Sequence, residues 1–235
     1  MNNIKRIIIG LFNAFGYNII KHTPKQNLIK LLDYYKIKNV IDVGANVGQF
    51  AKFVRNSGFE GNIYSFEPLK DAFNILSKNA KQDKNWHVYN LALGDIDKNS
   101  EMNIASNSVS SSILEMTNSH LQAAPESAYF KKQSIEVRKL DSIIKDFNLN
   151  KNILLKIDAQ GYEKKILIGA EKSLSIINTI QLEMSVIPLY NGEELYFEIS
   201  KYLYDLGYKI IKIIPGYYDK QTKELLQFDG IFHRD

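Results

Sequence analysis

The sequence predicts an α/β fold in which a mostly parallel sheet is covered by helices on both faces. Short apolar, β-branched runs alternate with segments of helical periodicity from residue 39 onward, as in consecutive β–α–β units. The composition, with 45% hydrophobic and 24% charged residues, is that of a globular chain with a buried core. A length of 235 residues suits one large domain with a short appendage.

Two helices are expected before the sheet begins. The first is indicated by apolar residues at helical spacing, namely Ile4, Ile8, Leu11 and Phe15. The second is expected to start at Thr23, because Thr23 and Gln26 form a capping-box pattern and Pro24 suits the first helical position. We therefore expect a helical extension over residues 1–37 in front of a domain over residues 38–235.

Strands and helices then alternate along the chain. Strands are predicted over residues 40–43, 62–66, 86–91, 153–157, 176–182, 208–214 and 227–233. Helices are predicted from residues 50–54 to Gly58, and over residues 69–81, 162–174 and 194–206. The last two strands are joined through Pro215 and Gly216, which indicates an antiparallel pair. Residues 105–127 are rich in Ser and Asn and are expected to form a long insertion that is a lid, a binding loop or disordered.

The composition excludes several classes of protein. The chain has no cysteine, so disulfides, thiol nucleophiles and Cys-ligated metal sites are excluded, which fits a cytoplasmic protein. With only four histidines, scattered along the chain, no dedicated metal site and no metal are expected. A net charge of +4 is too small to predict a nucleic-acid-binding surface. The N-terminal apolar run is too short and too interrupted for a signal peptide or a spanning helix.

A glycine-containing turn follows the first predicted strand. Residues 40–48 read Val-Ile-Asp-Val-Gly-Ala-Asn-Val-Gly, a pattern in which the backbone can approach a ligand closely. The turn does not match the dinucleotide fingerprint, which would need Gly at position 46, and it lacks the Gly-Lys-Ser/Thr of a phosphate loop. Taken alone, it could equally serve tight packing between strand and helix.

Four carboxylates follow or end predicted parallel strands. They are Asp42, Glu67, Asp158 and Glu183. Because ligands bind at the carboxyl edge of such sheets, we expect these side chains to converge on one site. Glu67 lies 19 positions after Gly48, a spacing that suits a carboxylate accepting hydrogen bonds from a ribose diol.

The chain resembles FkbM-type methyltransferases in the order of its short motifs. These are residues 40–48 above, Phe-Glu-Pro (66–68), Ala-Leu-Gly-Asp (92–95), Leu-Asp (140–141), Leu-Lys-Ile-Asp-Ala-Gln-Gly-Tyr-Glu (155–163), Ile-Gly-Ala (168–170) and Phe-Asp-Gly-Ile-Phe (228–232). The resemblance covers residues 38–234. It implies a Rossmann-like class I fold, with a seven-stranded, mostly parallel sheet, an antiparallel final strand and preceding N-terminal helices.

The resemblance also implies S-adenosylmethionine as cofactor and suggests which residues bind it. The turn after the first strand would face the methionine end, Asp42 would orient this turn or accept from the ammonium, and Glu67 would hold the ribose diol. Ala92 and Leu93 would lie next to the adenine. The expected cofactor-binding residues are Asp42, Gly44, Asn46, Gly48, Glu67, Ala92 and Leu93.

For catalysis, a carboxylate is expected to act as the general base on the acceptor. Asp158 is the first candidate, Glu183 the second and Glu163 the third; positioning or helix capping by Asp158 is the alternative role. A divalent cation between Asp158 and Glu183 is conceivable but not expected. Gln160 stands where the family often has Glu and sometimes Gln, so no carboxylate is available there.

Two further residues were considered as contacts of the acceptor. His120 lies in the Ser/Asn-rich insertion, where a solvated loop histidine is expected rather than a base. Tyr190, with Asn191 and Gly192, lies beside the inferred active edge and could offer a face for a sugar ring.

The function expected from the resemblance is O-methylation of a hydroxyl on a sugar, glycan or glycolipid. N-methylation of RNA or protein is an alternative, disfavoured because residues 158–161 do not resemble the Asn-Pro-Pro-Tyr end of amine methyltransferases. A non-catalytic binding protein that retains the fold is a further alternative, against which the intact motifs argue. Nucleic acid is not expected as a partner, and the oligomeric state is not predicted.

The basic charge is concentrated at the N-terminus. Residues 1–38 contain seven Lys or Arg and one acidic residue, Asp33, whereas the rest of the chain carries a net charge of −2. One interpretation is that residues 1–20 contact an anionic inner membrane surface that carries a lipid-linked substrate. The favoured alternative is a helix packed on the sheet with solvated lysines.

Overall fold

The computed structural model describes residues 12, 14–16, 24–149 and 152–235. The helix expected over the first 20 residues, the Thr23 cap and the proposed membrane contact of residues 1–20 fall mainly outside the described residues.

Helix α1 (Pro24–Tyr34) begins at the proline predicted to open it. Its Leu28 and Leu32 are buried and pack with Val40 and Val54.

A seven-stranded sheet forms the centre of the domain, in the order β3-β2-β1-β7-β8-β10-β9. Its strands are β1 (Asn39–Val43), β2 (Asn62–Phe66), β3 (Trp86–Tyr89), β7 (Ile153–Ile157), β8 (Thr179–Ser185), β9 (Lys209–Pro215) and β10 (Gln227–His233). Strands β3, β2, β1, β7 and β8 are parallel to one another, whereas β10 is antiparallel to both β8 and β9. The predicted parallel sheet and the antiparallel pair at its end are therefore confirmed.

Helices cover both faces of this sheet. Helices α2 (Gln49–Asn56) and α3 (Lys70–Ala80) pack in one apolar cluster of the core. Helix α4 (Asn118–Ala123) lies in the insertion and packs in a separate small cluster. Helices α5 (Leu140–Ile143), α6 (Glu163–Gly169) and α7 (Tyr196–Asp205) pack in the second cluster of the core. Every residue of β1 and β7 is buried, as expected for central strands that face helices on each side. Val40 and Leu154 belong to one apolar cluster and Ile41 and Leu155 to the other, so successive residues supply the two halves of the core.

A second, three-stranded sheet was not predicted. It contains β4 (Ala92–Leu93), β6 (Tyr129–Arg138) and β5 (Lys98–Ala105), with β6 in the middle. Strand β5 has the sequence Lys-Asn-Ser-Glu-Met-Asn-Ile-Ala, whose polar residues hide the strand pattern. The sheet is stabilised by long antiparallel pairing between β5 and β6 and by a small apolar cluster around Ala92, Ile135 and Val137.

The Ser/Asn-rich insertion, residues 105–127, is structured and extends from the end of β5. It contains a short 3-10 helix (Ser108–Ser110), helix α4 and a second 3-10 helix (Pro125–Ser127). Local side-chain caps explain this order: Asn107 accepts from the Ser110 amide at 3.0 Å and Thr117 from the His120 amide at 3.3 Å. One Asn and one Thr of the segment that suggested an irregular loop therefore cap two of its short helices.

None of the helices in the described part of the chain is long and apolar enough to cross a membrane.

Candidate active site

A cavity of about 510 Å³ opens at the carboxyl edge of the parallel strands. Its wall is formed by the turn after β1, the end of β2, strand β4, the insertion and the turn after β7. The lining includes five of the residues expected to bind the cofactor, which are Gly44, Asn46, Glu67, Ala92 and Leu93, and the first candidate base, Asp158. The sheet therefore brings the turn after β1, Glu67 and Asp158 to one cavity, as expected for residues at the carboxyl ends of parallel strands.

The turn after β1 is held by hydrogen bonds to the end of β2. The amides of Gly44 and Ala45 both donate to the Phe66 carbonyl oxygen, at 3.1 and 3.0 Å. Gly44 has a φ of 73°, and a Cβ atom there would lie 1.8 Å from the Asp158 carbonyl oxygen. Only glycine can therefore occupy this position, where the β1 and β7 turns meet.

Glu67 closes the turn through its side chain. One carboxylate oxygen accepts from the Asn46 amide and the other from the Leu69 amide, each at 2.8 Å. Burial raises the pKa of Glu67 to about 7, although the two amide hydrogen bonds act in the opposite direction. The carboxylate faces the cavity and is a strong acceptor for hydroxyl groups of a ligand.

Lys156 lies between two carboxylates beneath the cavity. Its Nζ atom is 3.4 Å from Oδ2 of Asp158 and 3.5 Å from Oδ1 of Asp42. Burial by itself would lower the pKa of Lys156, but the charges of Asp158 and Asp42 outweigh it and the pKa is raised. Lys156 is therefore a permanent cation that orients Asp158.

The Asp158 side chain is 40% exposed, and both of its oxygens have partners. Oδ2 faces Lys156 and Oδ1 accepts from the Gln160 side-chain amide at 2.9 Å. The same amide nitrogen donates to Oε2 of Glu183 at 2.8 Å, and the Gln160 oxygen accepts from the Tyr190 hydroxyl at 2.6 Å. Asp158 is thus an oriented carboxylate that remains open to the cavity.

Four of the residues expected at the site do not line the cavity. They are Asp42, Gly48, Glu163 and Glu183. Asp42 is fully buried and accepts from the Ser65 hydroxyl at 3.3 Å, so it can affect the site only through Lys156. Gly48 faces Trp86 and Leu76 and serves packing.

Glu163 and Glu183 support the turn around Asp158. Glu163 is buried and accepts from the Ala159 amide at 2.8 Å, while Glu183 accepts from Gln160. Burial raises the pKa of Glu183, and the charge of Asp158 raises it further. Asp158 is the one of the three candidate bases that reaches the cavity.

We expect Glu163 to make the stability of the protein depend on pH. Burial raises its pKa from 4.5 to about 8 in the folded chain, so the folded state holds the proton more tightly. Stability from this group is present below about pH 4.5 and is lost as the pH rises towards 8. Glu163→Gln keeps the acceptor for the Ala159 amide but has no proton to lose. The unfolding free energy of this variant minus that of the wild type should therefore increase by roughly 1–3 kcal/mol when the pH is raised from 5 to 8.

Urea unfolding at the two pH values checks this expectation, with Glu171→Gln at an exposed position as the matched control. An unchanged difference between Glu163→Gln and wild type at both pH values would contradict it.

The sequence did not identify several lining residues as parts of the site. Lys156, Gln181 and Asp229 line its floor, and Ser108 and Val109 of the insertion cover it. Burial raises the pKa of Asp229 to about 6, and the charge of Asp158 adds to the effect. Asp229 could have been found from its motif, Phe-Asp-Gly-Ile-Phe, whereas Gln181 and Ser108 carry no such signal.

The expectation that His120 is a solvated loop residue is wrong. His120 is 4% exposed, and its ring lies edge-on to Tyr190 with centroids 5.0 Å apart. Because α4 is capped by Thr117, it turns His120 inwards beneath the loop that carries Tyr190. Burial lowers the pKa of His120, and the side chain does not line the cavity.

Across the described residues, no group of three or more His, Asp or Glu side chains is arranged to hold a metal ion.

A known protein family matches most of the chain. The family model described as "Methyltransferase FkbM domain" matches residues 42–210. No curated protein sequence matches the chain.

Two solved structures illustrate the similarity in fold. TrmK from M. capricolum, in complex with S-adenosyl-homocysteine, has a TM-score of 0.50 at 11% identity, covering 91% of this chain and 69% of that one. An uncharacterized protein from Listeria monocytogenes serotype 4b has a TM-score of 0.52 at 8% identity, covering 92% and 69% respectively. At these identities the likeness concerns the fold, which is that of class I S-adenosylmethionine-dependent methyltransferases.

Proposed function

The chain belongs to the family of methyltransferases with an FkbM domain, and we propose that it methylates a hydroxyl group of a sugar, glycan or glycolipid. Its cofactor is S-adenosylmethionine, in keeping with the family and the fold. The observation that carries the proposal is Asp158, an oriented and partly exposed carboxylate at the edge of the cavity.

The lining of the cavity fits S-adenosylmethionine. Glu67 offers a buried carboxylate to the two hydroxyls of a ribose, and Gly44 leaves the turn free of side-chain atoms where a ligand must approach. Ala92 and Leu93 add an apolar wall that suits adenine. We assign the cofactor to these residues together with Asn46, whose amide is held by Glu67.

S-adenosylmethionine supplies an electrophilic methyl group bonded to a positively charged sulfur. An alcohol is a poor nucleophile until its proton is removed, and a carboxylate within hydrogen-bond reach can accept that proton. Asp158 has this role in our proposal, with Lys156 and Gln160 holding its two oxygens in place. Because methyl transfer proceeds in line, alignment of the hydroxyl by the cavity should supply much of the rate enhancement.

The charge of the lining favours a neutral, hydroxylated acceptor over a phosphate-rich one. Lys156 is the cation among the described lining residues, and it is already paired with Asp158 and Asp42. Glu67 and Asp229 add further carboxylates to the same cavity. A nucleic-acid backbone would meet these acidic groups without a free cation to neutralise its phosphates.

We expect Glu67→Gln to weaken binding of S-adenosylmethionine about 10- to 100-fold, because a charged acceptor is lost from a buried site. Isothermal titration calorimetry measures the change directly. Glu60→Gln replaces an exposed glutamate and serves as the control. Equal affinity in Glu67→Gln and wild type would remove Glu67 from the cofactor site.

The acceptor class can be tested with methyl-labelled S-adenosylmethionine. We would incubate the protein separately with polar-lipid, glycan, RNA and protein extracts and follow the label. The proposal predicts label in the glycan or glycolipid fraction. Label confined to RNA or protein would contradict it.

A further inference from the structure

We propose that Gln160 is a positioning residue that joins Asp158 and Glu183 into one carboxylate pair and keeps Asp158 ready to accept a proton. The inference rests on the proposed function, because it concerns the base of the same reaction. It assigns a role to an amide side chain that lies between two carboxylates.

The side chain of Gln160 makes three hydrogen bonds. Its Nε2 atom lies 2.9 Å from Oδ1 of Asp158 and 2.8 Å from Oε2 of Glu183. Its Oε1 atom accepts from the Tyr190 hydroxyl at 2.6 Å. A primary amide has two N–H donors and one acceptor oxygen, so these three contacts use both donors and the oxygen.

Tyr190 determines which way the amide faces. Tyr190 is fully buried, and burial raises the pKa of its hydroxyl, which therefore keeps its proton and donates to Oε1 of Gln160. The nitrogen must then face the two carboxylates. In this orientation both carboxylates act as acceptors, which is the state that a general base requires.

The charges around the pair show why an amide is needed. Asp158 and Glu183 repel each other, and Asp229, together with Glu163 when it is ionised, adds negative charge near Glu183. Lys156 offsets this repulsion, with its closer contact to Asp158. Without the two N–H donors of Gln160, the pair would take up a proton at a higher pH. The reason is that one proton on the pair removes the repulsion between two nearby negative charges.

The backbone of Gln160 is held independently of its side chain. Its φ is 53°, and its carbonyl oxygen accepts from the Ser112 hydroxyl of the insertion at 2.7 Å. Substitutions of the side chain leave this contact in place. Their effects on the carboxylates can therefore be separated from loss of the turn.

The test follows the titration of the carboxyl groups by NMR. Protein labelled with ¹³C at the side-chain carboxyl carbons of Asp and Glu would be titrated with acid as wild type, Gln160→Met and Gln160→Glu. Signals of the pair are assigned by their loss in Asp158→Asn and Glu183→Gln. Gln221→Glu, which adds the same charge at an exposed position, is the matched control for Gln160→Glu.

In Gln160→Met we expect the titration midpoint of at least one carboxyl of the pair to rise by about one pH unit or more. Gln160→Glu should raise it further, because three carboxyls then share the space, while Gln221→Glu should leave it unchanged. Midpoints for Asp158 and Glu183 that equal the wild-type values in Gln160→Met would overturn the proposal. Gln160→Leu also removes the donors without adding a charge, and it decides in the same way if the methionine variant does not fold.

Calorimetry with S-adenosylmethionine on the same samples separates this inference from the proposed function. If wild type binds the cofactor but the carboxyl midpoints in Gln160→Met equal those in wild type, only the role of Gln160 is overturned. Absence of binding by folded wild-type protein would overturn the proposed function, whatever the titrations show.

Discussion

Asp158→Asn is expected to lower kcat about 10²- to 10⁴-fold, the usual contribution of a general base. Asparagine keeps the size of the side chain and can still pair with a neighbour, but its neutral amide cannot take the proton from a hydroxyl group. Affinity for S-adenosylmethionine should stay within about threefold of wild type, because the cofactor is assigned to other residues. Calorimetry and labelled methyl transfer on the same preparation measure the two quantities.

Asp71→Asn is the matched control for this substitution, since Asp71 is exposed on α3. We expect it to keep wild-type turnover. Turnover by Asp158→Asn at the wild-type rate would show that Asp158 is not the base, whereas a loss of cofactor binding would move it into the cofactor site.

Gly44→Ala should abolish measurable binding of S-adenosylmethionine and destabilise the fold by on the order of 3–5 kcal/mol. The new Cβ atom would lie 1.8 Å from the Asp158 carbonyl oxygen, and the φ of 73° is unfavourable for alanine. The turns after β1 and β7 would have to separate, which displaces the cofactor turn and Asp158 together. Urea unfolding and calorimetry measure the two effects.

Gly58→Ala separates the clash from the backbone strain. Gly58 also has a positive φ, of 95°, but no atom lies within 4 Å of the position of its Cβ. Strain alone should cost about 1–2 kcal/mol there and leave cofactor binding intact. Equal losses in the two variants would contradict the close approach at Gly44.

The central sheet and the convergence of its motifs on one cavity could be predicted from the sequence. Strands β1 and β7 are fully buried and mostly apolar, and each is followed by a turn that contains glycine. The boundaries of β2, β7 and β10 coincide with the predicted ones. Because parallel strands place their carboxyl ends at one edge, the positions of Glu67 and Asp158 followed from their places in the chain.

Other parts depend on contacts between residues distant in sequence. Strand β5 is polar along much of its length and is stabilised by pairing with β6, so periodicity did not reveal it. The strand predicted over residues 86–91 ends at Tyr89 in the structure. The next strand, β4 (Ala92–Leu93), belongs to the second sheet. Burial of His120 depends on its contact with Tyr190, 70 positions along the chain.

The ranking of the carboxylates was resolved only by side-chain direction. Asp158 and Glu183 follow or end adjacent strands and looked alike in sequence. In the structure Asp158 lines the cavity, whereas Glu183 lies behind Gln160. The bridging amide itself could not have been predicted, since it requires the relative positions of β7, β8 and the loop that carries Tyr190.

The attachment of the transferred methyl group tests the proposed function most directly. Deuterated S-adenosylmethionine would be incubated with the protein and glycan or glycolipid extract, and the labelled product would be hydrolysed and analysed by mass spectrometry. We predict a deuterated methyl ether on a sugar oxygen, absent when Asp158→Asn replaces the wild type. Label on nitrogen, or the same yield of ether from Asp158→Asn, would contradict the account.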